Sequence, residues 1–201
     1  MAISERSRHS VTRLTGVGMT KRITRHIVLI GMMGAGKTAV GTELARRLRV
    51  PFTDSDAEIE SAAAMSISEI FARDGESFFR DREGQVLARL LAGRPGVIST
   101  GGGAWLRAEN RAAVAARGIS VWLNCSPEVL WNRVRQRSTR PLLKTANPKG
   151  TLLRLLAERS PLYAQAEVEF LSRSGDSIET STDRLITQLR AADPTLIEDT
   201  P

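Results

Sequence analysis

Cysteine occurs once in the 201 residues, at Cys125. A single thiol excludes an internal disulfide framework and any zinc cage built on several cysteines; it fits a reducing compartment. Long apolar runs are also missing. Ile27–Ile30 is only four residues, far short of the roughly 18 that a membrane span requires. Aromatics are scarce, with five Phe, three Trp and one Tyr, which argues against a surface that stacks single-stranded bases. What is present is ordinary for a soluble globular chain: 41% hydrophobic and 25% charged residues. The length suits one domain, or at most two small ones, and such a chain can bury about 70% of its unfolded surface without disulfides.

The charge is uneven. Lys and Arg total 29 against 22 Asp and Glu, a formal net of +7. A basic balance invites a nucleic-acid reading through counterion release, and equally a small anionic substrate. Position favours the second. Residues 1–26 hold six basic side chains and one acid, Glu5. Residues 131–159 hold eight basic side chains and one acid, Glu158. The rest of the chain is net acidic, so the surface is not uniformly prepared for a polyanion.

The ends differ from the middle. Residues 1–24, rich in Ser, Thr and Arg without apolar periodicity, read as a disordered basic leader. A transit peptide is the sharper alternative, disfavoured by shortness and weak amphipathicity; a secretory signal is excluded for want of an apolar central region. Residues 191–201 read as a frayed tail, leaving 25–190 as the folded body.

Within that body, strand and helix signals alternate. His26–Ile30 reads as a strand entering a glycine-rich loop. Lys37–Leu48 follows with Val40, Leu44 and Leu48 at helical spacing. Pro51–Asp54, Gly96–Ser99, Ile119–Leu123 and Val168–Leu171 read as further strands. Helical spacing recurs in Gly84–Leu91, in Asn110–Arg117 (closed by Gly118, a helix-stop glycine) and in Leu152–Leu156. Ser126 reads as an N-cap with Pro127 in the first helical position. Such alternation indicates an α/β fold with a mainly parallel sheet covered on both faces and right-handed crossovers.

Gly31-Met32-Met33-Gly34-Ala35-Gly36-Lys37-Thr38 fits G-x-x-x-x-G-K-[ST], with the required strand before and helix after. Glycines let backbone N–H groups curl round phosphate oxygens, and the helix N-terminus adds its partial positive charge. Lys37 is expected to reach the β- and γ-phosphates and Thr38 to bind Mg²⁺. No Asn-Lys-x-Asp run accompanies the loop, which argues against a GTP switch.

Asp54 and Asp56 are the first acids after the loop's helix that could face it. Two apart in an extended segment, they share a side, so one can serve a metal and the other a substrate hydroxyl. The plainer reading is an Asx turn or N-cap before a helix at Ala57. Arg80 follows Phe78-Phe79; its plainer reading is an ion pair with Glu76 or Glu83. Thr100 with Gly101-Gly102-Gly103 offers backbone N–H groups at close approach, or merely a turn. The basic stretch 131–159, with Pro141 and Pro148, reads as a mobile lid carrying positive charge to phosphates, or as a solvated basic loop.

Taken in order, the phosphate loop, Asp54-Ser55-Asp56, Phe79-Arg80, Gly101-Gly102-Gly103, Arg140-Pro141-Leu142-Leu143 and Arg159-Ser160-Pro161-Leu162-Tyr163 resemble the shikimate kinase family across roughly 25–190. The resemblance implies a P-loop fold of nucleoside-monophosphate-kinase type: a five-stranded parallel sheet flanked by helices, with a lid at about 137–150. It implies transfer of the γ-phosphate of ATP to the 3-hydroxyl of shikimate, on the route to chorismate and aromatic amino acids. Gly34, Ala35, Gly36, Lys37, Thr38 and Ala39 would cradle ATP, with Arg133 near adenine and Arg140 reaching from the lid to ATP and the transferring group. Thr38 and Asp54 would hold Mg²⁺, Asp54 through water. Asp56 would bind the acceptor hydroxyls and help deprotonate one of them. Arg80, Gly102 and Arg159 would bind shikimate, since a guanidinium grips a carboxylate in two places. Lys37, Asp56 and Arg140 would be the catalytic set. The expected partners are shikimate and ATP, with no nucleic acid and no membrane, for a monomer in the cytoplasm. Two rivals share some of these features: a gluconate-type sugar-acid kinase and an ATP-dependent nucleic-acid-binding protein.

Overall fold

Strand β2 (His26–Ile30) has all five residues buried, the pattern of a central parallel strand covered on both faces. The computed structural model describes residues 20–135, 141–143 and 145–200. β2 lies in the middle of a five-stranded sheet with β3 (Phe52–Asp54), β4 (Val97–Ser99), β5 (Gly118–Asn124) and β6 (Val168–Leu171), in the order β3-β4-β2-β5-β6. Each neighbouring pair is parallel. After β2 the chain builds β3 and β4 on one side, then crosses to β5 and β6 on the other. Ligands of such sheets bind beyond the carboxyl ends of the strands where the winding reverses. The register puts Leu29 and Asp54 both opposite Ser99, so the loops after β2, β3 and β4 open on one rim.

The helices follow local chemistry. α1 (Lys37–Leu48) buries Val40, Leu44 and Leu48 and closes on Arg49, whose left-handed backbone (φ 56) points its N–H at the carbonyls of Ala45 and Arg46. α5 (Pro127–Val134) begins as expected, with the Ser126 side chain accepting from Val129 N–H and Pro127 at the first turn. α3 (Ile67–Leu91) is much longer than the segment Gly84–Leu91 suggested by spacing. It starts at a Ser66–Glu69 capping box and kinks at Gly75, where φ is 84 and ψ 171. Its buried row runs Phe79, Glu83, Leu87, Leu91. A glutamate in an apolar row hides the helix from a hydrophobicity pattern.

α4 (Ala108–Arg117) ends at Gly118, but that glycine is extended (φ −146, ψ 179) rather than left-handed. It is already the first residue of β5, opposite His26, and a Cβ there would lie 3.0 Å from the His26 carbonyl oxygen. The helix passes into the strand without a loop. α6 (Pro148–Tyr163) begins with Asn147 as cap and Pro148 in its first turn, so 148–150 belong to a helix rather than to the lid span 137–150. Residues 137–140 and 144 of that span lie outside the described residues. α2 (Ser55–Ala63) and α7 (Ile178–Ala192) complete the helical layers, with α7 packed on α1 and α4 on α3.

The ends depart from expectation. β1 (Thr20–Ile23) pairs antiparallel with β7 (Ile197–Thr200), Ile23 opposite Ile197. Thr24 N–H donates to Leu196 O at 3.1 Å, and Arg25 Nη2 lies 2.9 Å from Asp193 Oδ2. Ile23, Leu196 and Ile197 are buried in the main core. Thus 20–24 are not part of a disordered leader, and 193–200 are not a frayed tail; residues 1–19 lie outside the described residues. A four-residue strand with one inward apolar side chain carries almost no pattern of its own, and burial of that side chain holds both.

Candidate active site

The phosphate loop forms between β2 and α1. Gly34 and Gly36 take positive φ (81 and 95), a backbone that L side chains rarely adopt. A Cβ on Gly34 would also lie 2.7 Å from Val134 Cγ1, so α5 seats directly against the loop. Lys37 Nζ donates to Gly31 O at 2.9 Å and to Met32 O at 3.0 Å, which lays the ammonium along the loop. Arg133 Nη1 donates to Gly34 O at 3.2 Å and Ala35 O at 3.3 Å. Buried Cys125 backs the same peptide, with Sγ 3.5 Å from Ala35 O.

At the end of β3, Asp54 has two tasks. Its Oδ1 accepts from Asp56 N–H at 3.1 Å, capping α2, and its Oδ2 accepts from Thr38 Oγ1 at 2.9 Å. The N-cap expectation is met at Asp54, two residues ahead of the helix start expected at Ala57, and the same carboxylate also turns toward Thr38. Asp56 faces the same cleft for a different reason than strand alternation: β3 stops at Asp54, and Asp56 is carried by the first turn of α2. The cleft, about 1310 Å³, is lined by the phosphate loop with Thr38, Asp54 and Asp56, by Gly102 and by Arg133. Ala39, at the start of α1, lines it too.

Behind the glycine run, whose Gly102 lines the cleft, lie two arginines. Arg80 pairs with Glu76 and with Glu83, each at 2.9 Å, and its guanidinium packs 5.1 Å from the centre of the buried Phe79 ring. The guanidinium crosses Gly103 so closely that a Cβ there would collide with it; a Cβ on Gly101 would stand 2.6 Å from both Asp56 Oδ1 and Glu83 Oε1. The glycines are therefore where side chains converge from α2 and α3. Arg159, buried on α6, donates from Nη1 to Gly102 O at 3.2 Å, and Tyr163 OH donates to the same oxygen at 2.5 Å. Two N–H groups of the run have partners: Thr100 N–H on Leu29 O and Gly101 N–H on Ser55 Oγ.

Glu83, buried beneath the glycine run, is the group that sequence reasoning treated only as a surface partner. It is fully buried, and Oε1 meets no hydrogen-bond partner among the described residues. Burial pushes its carboxyl above the usual range, against the attraction of Arg80, and the nearby Asp56 charge adds to the rise. Its spacing in the row Phe79, Glu83, Leu87 was the available signal. Tyr163 was also missed as a site element; Arg173 and Ser177 line the cleft. Arg140 lies outside the described residues. Among the described residues, no group of three His, Cys, Asp or Glu forms a metal cage, and no helix is long and apolar enough to cross a membrane.

A doubly wound parallel sheet with a lysine- and threonine-bearing phosphate loop on its central strand, and acids and arginines across one cleft, defines a P-loop small-molecule kinase of nucleoside-monophosphate-kinase type. Comparison with known proteins narrows the class. The shikimate kinase family model matches residues 33–190. A shikimate kinase of Ruegeria pomeroyi is 58% identical over 172 residues, covering 86% of this chain and 88% of that one, and one of Cereibacter sphaeroides is 54% identical over 175 residues, covering 87% and 88%. The solved structure of the Acinetobacter baumannii shikimate kinase in complex with shikimate superposes with a TM-score of 0.77 at 39% identity, over 83% of this chain and 92% of that one. The chain belongs to the shikimate kinase family.

Proposed function

We propose that the cleft transfers the γ-phosphoryl group of ATP to the 3-hydroxyl of shikimate, giving shikimate 3-phosphate and ADP. The observation that carries this reading is the convergence at Gly101–Gly103. Asp56, Arg80 and Arg159 come from α2, α3 and α6 to one glycine run beside the phosphate loop. A carboxylate-bearing polyol needs that combination: cations for its carboxylate and an acid for its hydroxyls.

ATP would lie with its phosphates in the loop Gly34–Thr38, and Lys37 would turn from the carbonyls of Gly31 and Met32 to the β- and γ-oxygens. Thr38 Oγ1 and Asp54 Oδ2 are hard oxygen donors 2.9 Å apart, a set that suits Mg²⁺ completed by water and phosphate. The ion supplies charge neutralisation at the β- and γ-phosphates when bound. Arg80 and Arg159 orient the acceptor by its carboxylate, Asp56 accepts the hydroxyl proton, and Arg140 adds positive charge over the transferring group. Because the transition state is loose, positioning and charge supply most of the catalysis. Arg133 would contact the adenine end. The protein would act as a monomer, and the single buried thiol fits a reducing compartment such as the cytoplasm.

The test is an ADP-release assay with shikimate, gluconate, nucleoside monophosphates and DNA ends offered separately. Release with shikimate alone is expected. Release with gluconate and not shikimate, or with DNA ends, overturns the reading.

A further inference from the structure

Tyr163 is the most deeply buried aromatic of the site: its exposure is 0%, and its hydroxyl reaches Gly102 O at 2.5 Å. A carbonyl oxygen only accepts, so the hydroxyl donates. Burial raises the tyrosine pKa further, opposed by the Arg159 charge, so the group remains a donor across the working pH range. The ring is fixed by packing, 6.0 Å from the Trp122 ring and with Met32 Sδ 3.8 Å from its hydroxyl. The same Gly102 oxygen also accepts from Arg159 Nη1, at a looser 3.2 Å.

A peptide unit is planar and trans. Holding the Gly102 carbonyl toward α6 therefore turns the N–H of Gly103 the opposite way, and Gly103 is the residue that the Arg80 guanidinium crosses. Glycine has no side chain to limit its backbone, so a run of three has little intrinsic preference for that orientation. Arg159 cannot be its sole guardian. When a substrate carboxylate draws that guanidinium, the weaker of the two bonds is the one at risk.

We infer that Tyr163 is a positioning residue: its hydroxyl locks the Gly102–Gly103 peptide so that the backbone and the two arginines present one preorganised anion subsite. The inference rests on the reading that this subsite takes the shikimate carboxylate. It assigns the tyrosine no contact with substrate.

Tyr163→Phe removes the hydroxyl and keeps the ring. The expected result is a rise in KM for shikimate of roughly threefold to tenfold, the scale of one net hydrogen bond, with KM for ATP and the melting temperature little changed. The second readout is discrimination. Wild-type enzyme is expected to prefer shikimate to its carboxamide, and the variant loses that preference by the same factor because its KM for the carboxamide does not rise. Trp105→Phe is the control. Trp105 Nε1 also ties this loop to α6, donating to Leu162 O at 2.8 Å, without touching the Gly102 carbonyl. That variant is expected to melt lower and to keep full discrimination. Equal losses for shikimate and carboxamide, a parallel rise in KM for ATP, the same loss of discrimination in Trp105→Phe, or no change in KM for shikimate would each overturn the inference. Failure of wild-type enzyme to use shikimate at all would instead overturn the proposed function.

Discussion

Arg80 and Glu83 stand one turn apart on α3 with Nη1 2.9 Å from Oε2, their side chains only 13% and 1% exposed. The pair is buried enough that its charge state matters. For Glu83 the cost of burial outweighs the attraction of Arg80, as is common when a carboxylate leaves water.

A pH dependence follows. Glu83 has a raised pKa in the folded protein, so the folded state holds this proton more tightly than the unfolded one. Its contribution to stability is present below the ordinary value of 4.5 and is lost as pH rises through the folded value. Glu83→Gln cannot ionise. Melting curves between pH 4.5 and 8 should show the variant gaining on the wild type as pH rises. Parallel curves would contradict this account.

Arg80→Ala should act on the acceptor side alone. Removing a charge-assisted partner of a carboxylate should raise KM for shikimate roughly 10- to 100-fold while KM for ATP stays the same. Steady-state kinetics with each substrate varied in turn checks it. An unchanged KM for shikimate counts against the assignment.

Lys37→Ala should lower turnover by at least about 10²-fold, the scale of one lost electrostatic stabiliser. The glycines that form the loop backbone remain, so the variant should still fold, as circular dichroism would report. Near-normal turnover would sink the role given to the loop.

Ile23→Ala should cost about 2–4 kcal/mol in stability without altering either KM. The side chain is 3% exposed and sits opposite Ile197, far from the cleft in function if not in fold. Urea unfolding followed by tryptophan fluorescence measures it. A cost near zero would mean that the β1–β7 pair contributes nothing to the core.

Legibility in the sequence tracked locality. The phosphate loop is read from eight consecutive residues because its chemistry lies in its backbone. β2, α1 and the Ser126–Pro127 helix start announce themselves by spacing and caps. Asp54 and Asp56 were found as a pair, yet the strand geometry that suggested it belongs to only one of them. Glu83 was obscure because a buried charge contradicts the pattern used to find helices. Tyr163 was visible only as a motif residue, since its bond to Gly102 joins residues 61 apart. β1 and β7 were least legible of all: neither short strand signals itself, and each exists because the other does.

That last pairing has a consequence for how the protein comes into being. Thr24 Oγ1 donates to Thr195 O, 171 positions further along the chain. At ~5–20 residues per second of synthesis, the first partner waits on the order of ten seconds for the second to be made. During that interval the loop, both aspartates and the glycine run are translated, while Ile23 waits for Ile197. The joint between β1 and β7 therefore cannot form until nearly all of the described chain has been made.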